Sequence, residues 1–407
     1  MTQAKRTPLP RLMLVLAATC IAGWWFKAHC GAKGWVGSIQ YVTGCYSDAV
    51  PFWGLRGVAA GQLPYFEARI EYPVLTGALI WIEGLVTRLA FGAGANEWRF
   101  LDMVALANAA LAAGVLAMLW RAGLEDRRLW AWAAAPVLVL YVGHNWDMLA
   151  VALAVAALLA ARERRLVHAA ATAGLGVAAK LFPIVILPLI GLEALTRGEG
   201  IARRVRQAAI VTGAAIGAWA LVNAAPALLA RENWAEFYTF SQARAGTAAS
   251  VWEIAGSYGW PTSVEQRNLY AAVAFAAGYV VILALGWRKH GDRPWLLAGP
   301  VLAWFMLTNK VYSPQFDLWL YPVLLLTAPR LWPVAAFTLA GVGAYFAEFW
   351  WFATLDGVMQ GVTPAHIALW AGLRAAAMLV LIADGVTRDA PAWLTLEPHD
   401  RSSSPRA

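Results

Sequence analysis

Long apolar runs, separated by short clusters of charged residues, follow one another along almost the whole chain of 407 residues. Each run holds roughly 15–22 residues, close to the length that a helix needs to cross a bilayer. Only helices and closed barrels satisfy their backbone in lipid, and the period-two alternation of a membrane barrel is missing from the sequence. The pattern therefore predicts an all-α polytopic membrane protein.

The apolar runs also give the approximate bounds of the predicted elements. We expect a single bundle of about 11–13 transmembrane or re-entrant helices, some of them shorter than a full span. The predicted helices lie near residues 11–28, 73–91, 99–120, 129–143, 147–161, 166–179, 181–196, 207–225, 268–287, 295–308, 316–328, 331–351 and 365–385.

Arginine and lysine gather in the short segments between the runs, at 5–11, 121–128, 162–165, 197–206 and 288–293. Basic residues in short loops mark the cytoplasmic side of a membrane protein. The net charge of +8 is therefore a sign of topology and does not indicate nucleic-acid binding. The rule places the N-terminus and the C-terminal tail in the cytoplasm of a multi-pass cell-membrane protein.

One conflict arises in this topology. If residues 1–10 and 121–128 lie on the same side, the three apolar segments between them cannot all span the membrane. We expect the segment 73–91 to be a re-entrant or juxtamembrane helix. The weaker alternative places the 121–128 cluster outside, against the distribution of positive charge.

With this orientation the irregular, polar stretches face the periplasm or the extracellular space. They are the first outer loop 29–72, the corners 144–147 and 180, the long loop 226–267, and 308–316. The sequence predicts one transmembrane domain over 1–387. The polar tail 388–407 has the composition of a disordered segment.

Composition supports this class. The chain is 60% hydrophobic and 14% charged, with a mean hydropathy of +0.56, whereas a soluble domain carries about a quarter charged residues. Walker A, GxSxG, HExxH and GxGxxG sequences are missing, so a nucleotide-driven pump, a serine hydrolase and a zincin lack support. Cys30 and Cys45 fall in the first outer loop, where they either form a disulfide or remain two free thiols.

Asp48 is the first candidate for chemistry. The stretch YSDAVPFWGLRG resembles an amphipathic helix that begins at Ser47 or Asp48, with Pro51 in its first turn. The carboxylate would then either cap the helix or take a proton from a substrate hydroxyl, and the two roles are compatible.

Further polar residues of the same loop suit a sugar or a phosphate. Arg56 is a candidate for binding a phosphate, and Glu71 and Tyr72 are candidates for binding a sugar or an acceptor. Solvation at the membrane surface is the alternative role for Glu71.

Lys180 and Lys310 each lie at an outer corner between apolar helices. Ionisable residues at membrane depth are costly and are functional candidates by default. A lysine is a flexible point charge suited to a lipid phosphate, although its stem could instead carry the charge out to the interface.

The remaining candidates are polar residues at the other outer corners. They could line a sugar or acceptor pocket: His144, Asn145, Asp147, Tyr312 and Gln315. For Asp147, capping of the following helix is the alternative. No second His or Cys stands at the spacing of a metal site. Arg374, in the last helix, is expected to pair with Glu348 or Asp356.

Taken in order, several of these motifs resemble a known family. The stretches are GQLPYFEARIEYPVLTG, NWDMLAVAL, GLGVAAKLFPIVILP, SVW and NKVYSPQFDLWLYP, preceded by the Asp of the first outer loop. Their sequence over residues 40–325 is similar to GT-C fold integral-membrane glycosyltransferases. Among these, the sequence resembles the actinobacterial polyprenyl-phosphate-mannose-dependent mannosyltransferases of the DUF2029, or family 87, type.

The resemblance implies an inverting transfer of a sugar, most simply mannose, from a polyprenyl-monophosphate donor to a cell-envelope glycolipid or lipoglycan on the outer side of the membrane. Asp48 would be the general base, and Lys180, Lys310 and Arg56 would stabilise the departing phosphate. Because a single acidic residue stands at the Asp48 position, neither a metal nor another cofactor is expected.

Other functions compete with this one. The enzyme could transfer arabinofuranose from polyprenyl-phosphate-arabinose. A transporter or flippase of lipid-linked sugars would instead show broken helices that meet at the bilayer midplane. A scaffold without catalytic activity in an envelope-assembly complex would tolerate the loss of Asp48.

Overall fold

The computed structural model describes residues 6–197 and 199–394, and within them the chain is almost entirely helical. The first nine α-helices are α1 Leu9–Ala28, α2 Ile39–Val42, α3 Ala49–Leu55, α4 Val74–Phe91, α5 Glu97–Arg121, α6 Asp126–Ala133, α7 Pro136–Tyr141, α8 Asp147–Arg162 and α9 Leu166–Ala179. The following nine are α10 Leu187–Thr196, α11 Ile201–Leu229, α12 Arg231–Ala243, α13 Val251–Ser257, α14 Val264–His290, α15 Ala298–Thr308, α16 Asp317–Thr327, α17 Trp332–Leu355 and α18 Pro364–Thr387.

Six helical segments are long and apolar enough to cross a membrane, which identifies a multi-pass helical protein by length and composition. They are Leu9–Ala32, Val74–Gly94, Glu97–Arg121, Ile201–Leu229, Val264–His290 and Pro364–Leu394. The predicted helical, polytopic class is thus confirmed. Small residues allow close helix packing, as where Gly174 of α9 lies against the backbone of Ala215 in α11.

The predicted helix 129–143 is wrong as a single element, because the chain breaks before Pro136. Ala135 adopts an extended conformation with ψ of 123°, and α7 starts with the proline at its first position. A proline lacks the N–H of a helix interior and disfavours a helical conformation in the residue before it. The break separates α6 from α7.

One end of the bundle, here called the basic end, gathers the charged clusters. Thr7 donates hydrogen bonds to Oδ2 of Asp126, through its backbone N–H at 2.8 Å and its hydroxyl at 2.6 Å. Arg128 donates to the backbone oxygens of Leu325 and Ala328 at 2.9 and 2.8 Å. The chain start and the 121–128 cluster therefore lie at the same end, as the preferred topology requires.

The tail begins later than the sequence predicts. Residues 388–394 stay on the basic end, where Ala392–Leu394 form a short 3-10 helix. Trp393 is buried and donates a hydrogen bond to the backbone oxygen of Leu326. The predicted disorder is therefore wrong for 388–394, and residues 395–407 lie outside the described part of the chain.

Helix α4 contacts residues at the end of the bundle opposite the basic end, from its first turn to its last. Thr76 near its start donates to the backbone oxygen of Ala179, Glu83 in its middle accepts from the Trp146 indole, and Arg88 near its end donates to Val58. Because all three partners belong to outer corners or loops, these contacts favour the juxtamembrane prediction. Its length and apolar composition alone would allow α4 to cross a bilayer.

Candidate functional site

A cavity of about 880 Å³ opens at the end opposite the basic end, which we call the site end. Its walls come from the segments that the sequence predicts to be outer loops and corners, together with α14, α15 and α17. The charged side chains that line it are Asp48, Arg56, Glu71, Lys180, Arg244, Lys310 and Glu348. Chain segments far apart in sequence thus meet in one polar cavity inside an apolar bundle.

Asp48 precedes α3, which confirms the predicted short helix, but its carboxylate does not cap that helix. Instead, the hydroxyl of Ser47 accepts the N–H of Ala49 at 3.2 Å. The Asp48 carboxylate accepts a hydrogen bond from the Tyr72 hydroxyl at 3.2 Å, and its backbone N–H donates to the oxygen of His144 at 2.8 Å. The carboxylate is therefore free to face the cavity.

Burial raises the pKa of the Asp48 carboxyl above its usual value. A hydrogen bond from Tyr46 and the charge of Lys180 oppose this increase, because they favour the ionised form. A raised pKa makes the carboxylate a stronger base, which suits proton abstraction.

Lys180 lines the cavity and forms an ion pair with a buried carboxylate behind it. Its ammonium lies 2.7 Å from Oδ1 of Asp147, whose other oxygen accepts the indole N–H of Trp319 at 2.7 Å. The ammonium also lies 4.7 Å from the centre of the Tyr72 ring. Asp147 does not line the cavity, although the sequence predicts it to bind a sugar, and it positions Lys180.

Arg56 and Glu71 neutralise each other at the cavity rim. Nε and Nη2 of Arg56 donate to the two carboxylate oxygens of Glu71 at 2.6 and 2.9 Å. Both residues line the cavity, as predicted, but the arginine already holds an anion. Arg56 is therefore a weaker candidate for phosphate binding than an unpaired cation would be.

Two cations in the cavity lack a carboxylate partner among the described residues. Lys310 donates to the backbone oxygen of Gln242 at 2.8 Å, and burial together with Arg244 and Arg267 lowers its pKa. The guanidinium of Arg244 packs over the ring of Phe240, at 5.4 Å from the ring centre. Burial lowers the pKa of Arg244, and Tyr72 and Asp48 oppose that shift.

Sequence reasoning missed Arg244, which lies just after α12 in the segment treated as a long loop. The predicted loop 226–267 in fact contains the end of α11 and the helices α12 and α13. The only sequence signal for Arg244 is a single arginine in a polar stretch at the outer side.

The remaining predicted residues divide into two groups. His144 and Gln315 line the cavity, and so does Tyr72. Asn145 lies beneath it, where its backbone oxygen accepts from Asn108 and its Oδ1 from the backbone N–H of Asp147. Asn145 and Tyr312 thus lie outside the cavity wall, although the sequence predicts them at that wall.

Tyr312 points away from the cavity into a buried ionic group. Its hydroxyl donates to Oδ1 of Asp317 at 2.7 Å, and the guanidinium of Arg374 stacks on its ring. Arg374 forms its ion pair with Asp317 at 3.6 Å. The expected partners of Arg374, Glu348 and Asp356, are thus wrong.

Cys30 and Cys45 form a disulfide, the first of the two alternatives from the sequence. With His29 they are the one group of three close metal-ligand side chains among the described residues. Because both sulfurs are bonded to each other, they offer no thiolate to a metal ion.

No protein-family model matches the chain, and no curated protein matches it either. The chemistry of the cavity itself is therefore the basis for a functional proposal.

Proposed function

We propose that the protein is an inverting glycosyltransferase that moves a sugar from a polyprenyl-monophosphate donor to a hydroxyl of a membrane acceptor. One observation carries the proposal: the Asp48 carboxylate, not engaged by its own helix, lines the same cavity as Lys180, Arg244 and Lys310. A base and a group of cations are what acceptor activation and phosphate departure need.

In this mechanism Asp48 takes the proton of the acceptor hydroxyl as the oxygen attacks the anomeric carbon. The bond between that carbon and the phosphate oxygen breaks on the opposite face, and the electron pair leaves with the lipid phosphate. The anomeric configuration is inverted. Lys180, Arg244 and Lys310 stabilise the negative charge that grows on the phosphate oxygens.

The apolar part of the cavity suits a lipid substrate. Leu55, Leu181, Phe237, Phe240 and Phe275 line it together with the charged groups. Together with the positive-inside distribution, this supports a site end on the outer face and termini in the cytoplasm. Mannose and a cell-envelope glycolipid or lipoglycan are the proposed sugar and acceptor, on the resemblance described above.

The test is a transfer assay with purified protein. It is incubated with polyprenyl-phosphate-mannose or polyprenyl-phosphate-arabinose and an envelope lipid extract, and the products are analysed by mass. We expect a mannosylated lipid, and at least a hundredfold loss of rate in Asp48→Asn, because general base catalysis contributes about 10²–10⁴-fold.

Asp356→Asn is the matched control. Asp356 is an exposed carboxylate at the site end that hydrogen bonds to Ser38 and does not line the cavity. Equal turnover in Asp48→Asn and the unmodified protein would refute the assignment of the base. If the protein moves the donor across the membrane of vesicles and no glycosylated product is detected by mass, the protein is a transporter instead.

A further inference from the structure

The cavity has a second wall that differs in chemistry from the one that carries the cations. We call it the aromatic arm, and it consists of Tyr41, Tyr46, His144, Gln315, Glu348, Phe349 and Phe352. Ring centres lie 5.7 Å apart between Tyr46 and Phe349, 6.3 Å between His144 and Phe349, and 6.0 Å between Tyr41 and Phe349. The arm therefore presents a continuous group of aromatic rings around Phe349.

Two hydrogen-bond acceptors in this arm line the cavity without a donor of ordinary geometry among the described residues. Oε1 of Gln315 receives no hydrogen bond, although the His144 ring lies beside it. Glu348 is 3% exposed and forms neither an ion pair nor a hydrogen bond with the described residues. Buried polar groups are almost always paired, so each of these points to an external donor.

The surroundings of Glu348 explain why it stays unpaired. The cation whose charge acts on it, Arg374, already forms an ion pair with Asp317 at 3.6 Å and stacks on Tyr312. Lys27, behind His144, contacts the oxygen of Gly44, Nδ1 of His144 and the hydroxyl of Tyr345, and it does not line the cavity. The aromatic arm thus offers acceptors and apolar faces, and it lacks a free cation among the described residues.

The arm adjoins the base. The Tyr46 side chain lies close enough to Asp48 to act on its carboxyl, while its ring faces Phe349 within the arm. A ligand held against these rings would therefore have a hydroxyl close to the Asp48 carboxylate.

We propose that the aromatic arm binds the sugar of the acceptor and selects an uncharged pyranose, whose hydroxyls donate to Glu348 and Oε1 of Gln315 while its C–H face packs on the rings. This inference rests on the proposed function, because it makes the arm the acceptor side of that transfer. An acceptor sugar that carries a phosphate near these groups is disfavoured, because the described residues of the arm offer that phosphate no free cation.

Binding without donor tests this inference. The full chain is placed in lipid nanodiscs that are free of sugar detergents and that contain saturating polyprenyl monophosphate, which occupies the cations of the cavity. Dissociation constants are then measured for octyl mannoside and for its 6-phosphate. We expect octyl mannoside to bind at least tenfold more tightly than the phosphorylated probe. Glu348→Gln should weaken the binding of octyl mannoside by about tenfold, the effect of losing one buried hydrogen bond.

Glu232→Gln is the matched control, since Glu232 is an exposed acid in α12 outside the cavity. Phe349→Leu, which keeps an apolar side chain, should also weaken the binding of octyl mannoside and leave the binding of polyprenyl monophosphate unchanged. Equal affinity for both probes, or octyl mannoside affinity that is unchanged in Glu348→Gln, would overturn the inference.

The two proposals fail separately. If binding depends on Glu348 but no sugar is transferred, the acceptor-sugar site stands as a sugar-binding site and the glycosyltransferase proposal falls. If transfer depends on Asp48 but Glu348→Gln leaves octyl mannoside affinity unchanged, the enzyme stands and the aromatic arm loses its assigned role.

Discussion

Replacing Lys180 by methionine distinguishes its role in the fold from its role toward a ligand. The ammonium lies 2.7 Å from Oδ1 of Asp147, and the lysine side chain is 16% exposed while the aspartate is fully buried. At an effective dielectric constant of about 20, unit charges at this distance attract by roughly 6 kcal/mol before desolvation is subtracted. Removal of one partner from a buried pair costs about 3–5 kcal/mol, because the other charge is left uncompensated.

We therefore expect Lys180→Met to lower the free energy of unfolding by about 3–5 kcal/mol. At about 2 °C per kcal/mol, the value for large domains, the melting temperature falls by roughly 6–10 °C. The exposed pair of Lys289 and Asp389 serves as the control, since Lys289→Met removes a surface interaction worth at most about 1 kcal/mol.

The double variant Lys180→Met/Asp147→Asn removes both buried charges and keeps an oxygen for the indole of Trp319. It should recover most of the lost melting temperature, measured by scanning fluorimetry in detergent. Its rate of sugar transfer should nevertheless stay at least tenfold low, because a cation that faces the donor phosphate is still missing. A melting temperature of Lys180→Met within 1 °C of the unmodified protein would refute the energetic reasoning. Full transfer activity in the double variant would show that Lys180 serves only the fold.

Three further predictions concern the base, the disulfide and the unpredicted arginine. Because burial raises the pKa of Asp48, kcat/KM should rise with pH through an apparent pKa above 3.8. An acidic limb of the pH profile with an apparent pKa at or below 3.8 would contradict the assignment of Asp48 as the base. The same shift means that the protonated carboxyl contributes stability that is lost as pH rises, so Asp48→Asn should melt no lower than the unmodified protein at pH 7. Replacing Cys30 and Cys45 by serine opens a link across 15 positions and should cost about 3 kcal/mol in denaturant titrations, with an unchanged midpoint as the contrary result. Arg244→Ala should raise the KM for the donor about tenfold without a change in melting temperature, whereas Arg231→Ala, on the exposed start of α12, should change neither.

Most of the helices could be predicted from the sequence because each apolar run is a local signal. A single run of about 20 apolar residues in lipid satisfies its backbone hydrogen bonds only as a helix. The bounds of α4, α5 and α8 therefore agree with the prediction to within a few residues. The break at Pro136 was also written in the sequence, and a strict reading of the proline would have found it.

The location of the candidate site could be predicted from the sequence, but the side chains that face its cavity could not. Outer corners with Asp48, Lys180 and Lys310 were predictable, since charges between apolar helices are costly. Which side chain faces the cavity depends on contacts between distant segments, such as the pair of Lys180 and Asp147 or the packing of Tyr312 on Arg374. No local pattern encodes those contacts, so the sequence prediction missed Arg244 and placed Tyr312 at the cavity wall.

The disulfide between Cys30 and Cys45 joins the segment after α1 to the residues just before the proposed base, Asp48. If the site end faces the outer side, as proposed, this link forms only in molecules whose first outer loop has reached an oxidising compartment. A molecule inserted upside down would keep both thiols reduced and hold its base less firmly. Only correctly inserted molecules would then form the disulfide and hold Asp48 in place, so activity would depend on correct insertion.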